Sequence, residues 1–126
     1  MEVSTPSGLR YIDLRKGGGE TAPGPEAPLL MAHLTVTMGD ESLVLFDTKK
    51  QNRPLTFFYG AQPLTGALCP GLEEGISTMR VGGIRKISIP SALAFPEGKR
   101  FPGGTAPPGT SLTYLVELLR VSPPPS

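Results

Sequence analysis

The sequence predicts an α+β fold in which short antiparallel strands wrap over one short helix. Three observations predict it. The stretch from Gly71 to Pro90 carries helical spacing first and strand alternation second. Two further stretches, Leu29 to Met38 and Ser111 to Val121, alternate apolar and polar residues with a period of two. Finally, 16 glycines and 15 prolines are spread through the 126 residues, which indicates many turns and short elements and argues against long helices.

The helix is justified by Leu72, Ile76 and Met79, which fall at i, i+4 and i+7 and so share one face. Pro70 suits its first turn, where the missing N–H costs nothing, and Glu73 and Glu74 place negative charge at the positive end of the dipole. Gly82-Gly83 ends the local structure, Ile87 and Ile89 alternate with polar residues, and Pro90 stops that strand. A helix this short is marginal alone, so packing must hold it, and the simplest cover is a sheet over its apolar face.

Taken in order, Met1 to Ser7 reads as a loose lead-in, and Gly8 to Arg15 as an edge strand. Lys16 to Pro28 reads as a turn-rich loop; no helix pattern follows its triple glycine, so a phosphate cradle is not indicated. On the strand Leu29 to Met38, Leu30, Ala32, Leu34, Val36 and Met38 line one face, and His33, Thr35 and Thr37 the other. His33 therefore reads as a half-exposed strand residue and not as a base or metal ligand. Gly39-Asp40 marks a hairpin turn, and Leu43 to Phe46 returns. Asp47 to Arg53 is a polar loop, Leu55 to Tyr59 a short strand, and Gly60 to Pro70 a second loop. Ser91 to Thr110 reads as one long loop, of the length that usually carries function or lacks order. The last strand, Ser111 to Val121, puts Leu112, Tyr114, Val116 and Leu118 on one face, and Ser122 to Ser126 is a frayed tail.

The length suits one domain over residues 1–126, with a core from about 7 to 121. A net charge of +1 argues against a nucleic-acid footprint. One cysteine, Cys69, excludes an intrachain disulfide and argues against a cysteine-based metal site; with no second cysteine to resolve it, Cys69 is expected to be structural or pocket-lining, not redox-active. No apolar run reaches the length of a membrane span. No signal peptide is visible, and the polar start is expected to be that of a mature domain restarted with a methionine.

Candidate chemistry is sparse. There is one histidine, no Gly-x-Ser-x-Gly elbow, no nucleotide fingerprint, and no His, Cys or carboxylate cluster with metal-ligand spacing. What remains is a set of apolar residues at loop borders: Phe46, Phe57, Leu68, Cys69, Leu72, Phe95 and Tyr114. Each alone reads as core. The set points to a site because Phe46-Asp47 puts a carboxylate directly beside an aromatic at a strand end.

At these residues the chain resembles an FKBP-type peptidyl-prolyl isomerase domain, over about residues 7 to 121. The resemblance rests on Ser7-Gly-Leu-Arg-Tyr11, Phe46-Asp47, Gly71-Leu-Glu-Glu-Gly75, Met79-Arg-Val-Gly-Gly83, Lys86-Ile-Ser-Ile-Pro90, Pro107-Pro108 and Leu112-Thr-Tyr-Leu-Val-Glu-Leu-Leu119 in this order. It implies an antiparallel sheet of five or six strands curled around the helix, with the pocket between helix and concave sheet face. It implies rotation about X–Pro bonds in client proteins as the activity, with no cofactor and no metal. Phe46, Asp47, Phe95 and Tyr114 would then be the catalytic set, and Leu34, Phe57, Leu68, Cys69, Leu72 and Ala106 would bind substrate. Phe46, Phe57, Leu72 and Tyr114 would grip the proline ring, Asp47 would stand near the amide carbonyl, and Leu68 and Cys69 would offer a backbone edge to the peptide.

The chain departs from the family pattern where Leu34 and Phe95 replace usual tyrosines and Leu72 replaces the usual tryptophan of the pocket floor. Weakened isomerase activity is the expectation, with a non-catalytic chaperone or assembly-factor module as the alternative. The lead-in Thr5 to Leu14 and the thinned pocket resemble small thylakoid-lumen members of plants and green algae; the cytoplasm is the alternative location. Expected partners are proline-containing peptide segments, with no nucleic acid, no integral membrane segment, and a monomeric state.

Overall fold

The computed structural model describes residues 2–38, 41 and 43–123, so the hairpin turn expected at Gly39-Asp40 and the end of the tail lie outside the described residues. Its backbone follows the alternation closely. The strand β3 (Leu29–Met38) buries Leu30, Ala32, Leu34 and Val36 and turns Met31, His33, Thr35 and Thr37 outward. It pairs antiparallel along its whole length with β9 (Leu112–Ser122), which buries Leu112, Tyr114, Val116 and Leu118 on the same side.

Around this pair the sheet grows in both directions. Its order is β1 (Glu2–Ser4), β2 (Arg10–Arg15), β6 (Ile84–Ile89), β9, β3, β4 (Val44–Asp47), with β5 (Leu55–Phe58) also paired to β3, which makes seven strands where five or six were expected. The additional strand is β1, in the segment that sequence alone reads as a loose lead-in. Consequently β2 is an interior strand between β1 and β6, not an edge. The free side of β3 is shared: β5 pairs with its first half, and β4 with its second. The expected long loop after Pro90 is structured. It holds a single 3-10 turn at Ser91–Leu93 and a small hairpin of β7 (Lys99–Phe101) and β8 (Gly104–Ala106). The Gly103 N–H fastens this hairpin to the Leu45 carbonyl at 2.8 Å, so β7–β8 stands beside β4.

The helix α1 (Pro70–Ile76) is seven residues long, about 10 Å, and has Pro70 in its first turn as expected. It lies directly on β6 because two of its contact residues are glycines. A Cβ on Gly71 would come within 2.4 Å of the Ile89 side chain, and one on Gly75 within 2.6 Å of Ile87. Leu72 and Ile76 are buried on its inner face, and Met79, expected on the same helical face, is buried in the turn that follows because the helix ends at Ile76. Each contributes ~1.5–3 kcal/mol of hydrophobic stabilisation, which is what makes so short a helix persist.

Polar ties hold the helix from outside. Glu74 accepts hydrogen bonds from the Thr5 and Ser7 hydroxyls, binding the lead-in to α1, and Glu73 accepts from the Gly60 N–H at 2.7 Å. At the far end, buried Arg85 donates through Nη1 to the Gly75 carbonyl at 2.7 Å and to the Thr78 hydroxyl at 2.6 Å. Its Nε and Nη2 bind both oxygens of Asp13 on β2, at 2.7 and 3.1 Å, and its guanidinium lies 3.9 Å over the Tyr11 ring. A cation is thus placed where the helix dipole is negative.

Candidate active site

A cleft of about 360 Å³ opens beside α1, between the β5 strand, the loop leading into the helix and the β7–β8 hairpin. Its aromatic and aliphatic walls come from Phe46, Leu55, Phe57, Leu68, Phe101 and Pro102. Polar and backbone surface comes from Thr56, from Thr65 to Ala67, and from Lys99 and Arg100. Each wall follows from a local feature. Phe57 is the inward residue of β5, paired with buried Leu30. Phe101 is the inward residue of β7, immediately before the Pro102-Gly103 turn, and is only 6% exposed. Phe95 meets Phe101 edge-on, with ring centroids 5.6 Å apart, and supports it from behind.

Across a ridge formed by Phe46 and Pro102 lies a second depression of about 210 Å³. Asp47, Lys50 and Gln51 line it, together with Val44, Leu45 and Gly103. One oxygen of Asp47 accepts the Lys49 N–H at 3.0 Å and the Thr35 hydroxyl at 3.4 Å. Next to it, the buried Thr48 hydroxyl joins His33 Nδ1 at 2.8 Å and accepts the Leu34 N–H at 2.9 Å. His33 is thereby a half-buried strand residue with a structural partner, as its place in the alternation indicates.

Of the ten residues expected at the site, the structure brings Phe46, Phe57 and Leu68 to the cleft wall. Five others are buried and do not line it. Leu34, Leu72 and Tyr114 have no exposed surface, Cys69 has 1%, and Ala106 has 2%. The reason is visible in the strand register: Leu34, paired with Val116, and Tyr114, paired with Val36, point into the concave face already filled by α1. Tyr114 does not lie open for a ligand ring; its hydroxyl donates to the Ala67 carbonyl at 2.7 Å and meets the Cys69 sulfur at 3.8 Å. Asp47 sits beyond the Phe46 ridge, outside the cleft. Phe95 is half-buried behind Phe101. The residues that sequence reading missed are Leu55, Thr65, Lys99, Arg100 and above all Phe101. An aromatic set directly before Pro-Gly-Gly, where a hairpin turn falls, was the available signal.

Burial pushes the Cys69 thiol up, against the opposing hydrogen bonds of the Leu72 N–H and the Tyr114 hydroxyl, and it pushes the Tyr114 hydroxyl much further up. Neither is a base or nucleophile at neutral pH. Among the described residues no group of three or more His, Cys, Asp or Glu side chains is arranged to hold a metal. A third cavity, about 350 Å³, lies beside β1 and β2; Asp13, Arg15, Lys16, Arg80 and Arg85 line it, and Tyr11 is its one aromatic among the described lining residues.

A curled antiparallel sheet over one short helix, with a cleft walled by Phe46, Phe57 and Phe101 at the helix entry, defines the fold class of the protein. Comparison with known proteins agrees. The model of the family described as FKBP-type peptidyl-prolyl cis-trans isomerase matches residues 24–119. The chain is 34% identical to the chloroplastic peptidyl-prolyl cis-trans isomerase FKBP17-2 of Arabidopsis thaliana, over 99% of this chain and 53% of that protein. It is 37% identical to the chloroplastic photosynthetic NDH subunit of lumenal location 4 of the same plant, over 93% of this chain and 55% of the relative. Among solved structures, AtFKBP13 superposes with a TM-score of 0.80 at 27% identity, over 97% of this chain and 99% of that one. The chain therefore belongs to the FKBP-type peptidyl-prolyl cis-trans isomerase family. It spans about half the length of the two plant relatives.

Proposed function

We propose that this domain catalyses cis/trans isomerisation of X–Pro bonds in client polypeptides, more slowly than a member with the full aromatic pocket. The carrying observation is the convergence of Phe46, Phe57, Phe101 and Leu68 on one cleft of about 360 Å³, with room for a proline ring and the residues beside it. The planar amide is held by resonance behind a barrier of ~20 kcal/mol. In the twisted transition state that resonance is lost and the C–N unit is less polar, so an apolar, water-poor wall favours it over the planar ground state. Such catalysis requires no acid, base, metal or cofactor. The reduced rate follows from the floor: Leu72 and Tyr114 are wholly covered and present no surface to a ring, and Phe95 offers no hydroxyl to a carbonyl.

The burial of Leu34, Cys69, Leu72 and Tyr114 also favours a second reading, a module that binds prolyl segments without turning them over. NMR exchange spectroscopy on a short prolyl peptide separates the two. Isomerisation accelerated by substoichiometric protein supports the enzyme; peptide shift changes at unaltered isomerisation rate support the binding module.

The same reading places the domain in the chloroplast thylakoid lumen, acting as a monomer on folding or assembling proteins. The support is the chloroplastic and lumenal wording in the names of the plant relatives. FK506-binding proteins of Neisseria meningitidis match as well, which keeps a cytoplasmic setting as the alternative. Among the described residues no helix is long and apolar enough to cross a membrane.

A further inference from the structure

The cleft and the depression adjoin, since Phe46 and Pro102 line both, and are treated together as one groove. Its lining is net positive: Lys99 and Arg100 line the cleft, with no carboxylate among its described lining residues, and the depression carries Lys50 beside Asp47. The depression's carboxylate, Asp47, already accepts from the Lys49 N–H and the Thr35 hydroxyl. Lys99, which lines the cleft, holds its Nζ 5.5 Å from the centroid of the Phe95 ring behind Phe101. Arg100 and Lys50 are exposed.

A proline ring seated against Phe57 and Phe101 leaves the flanking residues to run out past Lys99 and Arg100, or over the ridge toward Lys50. The chain as a whole carries a formal charge of only +1, so this cationic rim is a local feature of the groove and not a consequence of overall charge. Charges at a binding rim select partners through encounter rate and through repulsion of the wrong sign.

We propose that the groove selects prolyl segments carrying a carboxylate next to the proline, with Lys99, Arg100 and Lys50 as the specificity-determining residues. The proposal rests on the isomerase reading above and adds the substrate class to it. Selection acts on kcat/KM through capture of the peptide and not on the rotation step, since no charge develops on the rotating bond.

The test measures isomerisation by NMR exchange on three matched peptides with Glu, Gln or Lys beside the proline, at low and at high salt. The expected order is Glu above Gln above Lys, with about two- to five-fold between neighbours at low salt, the range for exposed ion pairs. High salt should bring the three together. The charge-reversed variant Lys50→Glu/Arg100→Glu should invert the order. Equal rates for all three peptides, or an order that survives charge reversal, overturns the proposal while leaving the isomerase reading intact. Absence of acceleration on every peptide overturns the isomerase reading itself; chemical-shift titration of the same peptides then tests charge selection directly, and equal affinities for Glu and Lys peptides overturn the proposal there too.

Discussion

The Tyr114 hydroxyl donates to the Ala67 carbonyl at 2.7 Å, linking the central strand of the sheet to the loop that forms one wall of the cleft. The bond acts as a strut: the floor of the site holds its wall. Tyr114→Phe keeps the ring and leaves the buried Ala67 carbonyl without this donor, at a cost of ~1–3 kcal/mol. Chemical denaturation checks the loss of stability. Hydrogen exchange should show added opening confined to the segment from Thr65 to Cys69; uniform opening across the fold would show that Tyr114 is general core and not a strut.

The same burial sets the alkaline limit of the fold. Desolvation raises the Tyr114 hydroxyl well above its ordinary 10.0 and the Cys69 thiol above its ordinary 9.0. Above those ordinary values the unfolded chain releases protons that the native state retains, so the unfolded state binds fewer protons and stability falls as pH rises. Below pH ~8 the two groups contribute no pH dependence, because both states hold both protons. Denaturation midpoints measured from pH 7 to 11 should be flat and then drop, with a slope of up to ~1.4 kcal/mol per pH unit for each buried group. Tyr114→Phe should make the drop shallower above pH 10.

Much of this fold was legible because alternation fixes faces. Alternation puts the correct residues inward along 29–38 and the last strand, and the spacing of Leu72 and Ile76 marks the buried helix face; Met79, expected on that face, is buried in the turn after the helix ends at Ile76. The lead-in was not legible, since Glu2–Ser4 has no apolar pattern and becomes a strand through pairing with β2 and the ties from Thr5 and Ser7 to Glu74. The β7–β8 hairpin was hidden among prolines and glycines for a similar reason: three-residue strands are too short to show a period. Site residues were legible by type and not by depth. Phe46, Phe57 and Leu68 reach the cleft, but nothing in a linear pattern tells that Leu34 and Tyr114 are buried and do not line it, because that depends on how far α1 settles onto β6 through Gly71 and Gly75.

Arg85 was likewise invisible as a core residue, yet its side chain joins β2, β6 and the end of α1. Arg85→Met leaves Asp13 and the Gly75 carbonyl without this partner. The expected cost is ~3 kcal/mol, at the low end for a buried pair because Asp13 retains about a quarter of its side-chain exposure. Asp13→Asn leaves the more deeply buried Arg85 guanidinium without its counter-charge and should cost at least as much, ~3 kcal/mol or more. Urea denaturation of both variants checks the order.

Ile76→Ala should cost ~2–5 kcal/mol by urea denaturation, since the side chain is buried between helix and sheet. Leu72→Trp tests the floor in the opposite direction. With no exposed surface at Leu72, the larger ring must displace its neighbours, and overpacking costs ~1–3 kcal/mol. Combined with Phe95→Tyr, it should raise isomerase turnover by opening the floor; a folded double variant with unchanged or lower turnover shows that the covered floor is not what limits the rate.

The central claim, that the cleft formed by Phe46, Phe57, Phe101 and Leu68 turns over X–Pro bonds, is tested most directly by one comparison. Isomerisation of a prolyl peptide is followed by NMR exchange with the native domain, Phe46→Ala and Phe101→Ala at equal concentration. Their sheet resonances are checked for an unchanged fold. The account predicts acceleration by the native domain and a loss of about ten-fold or more in each variant, since truncating a wall aromatic removes ~1.5 kcal/mol or more of contact with the twisted peptide. Full acceleration in both folded variants, or none in the native domain at stoichiometric concentration, would contradict it.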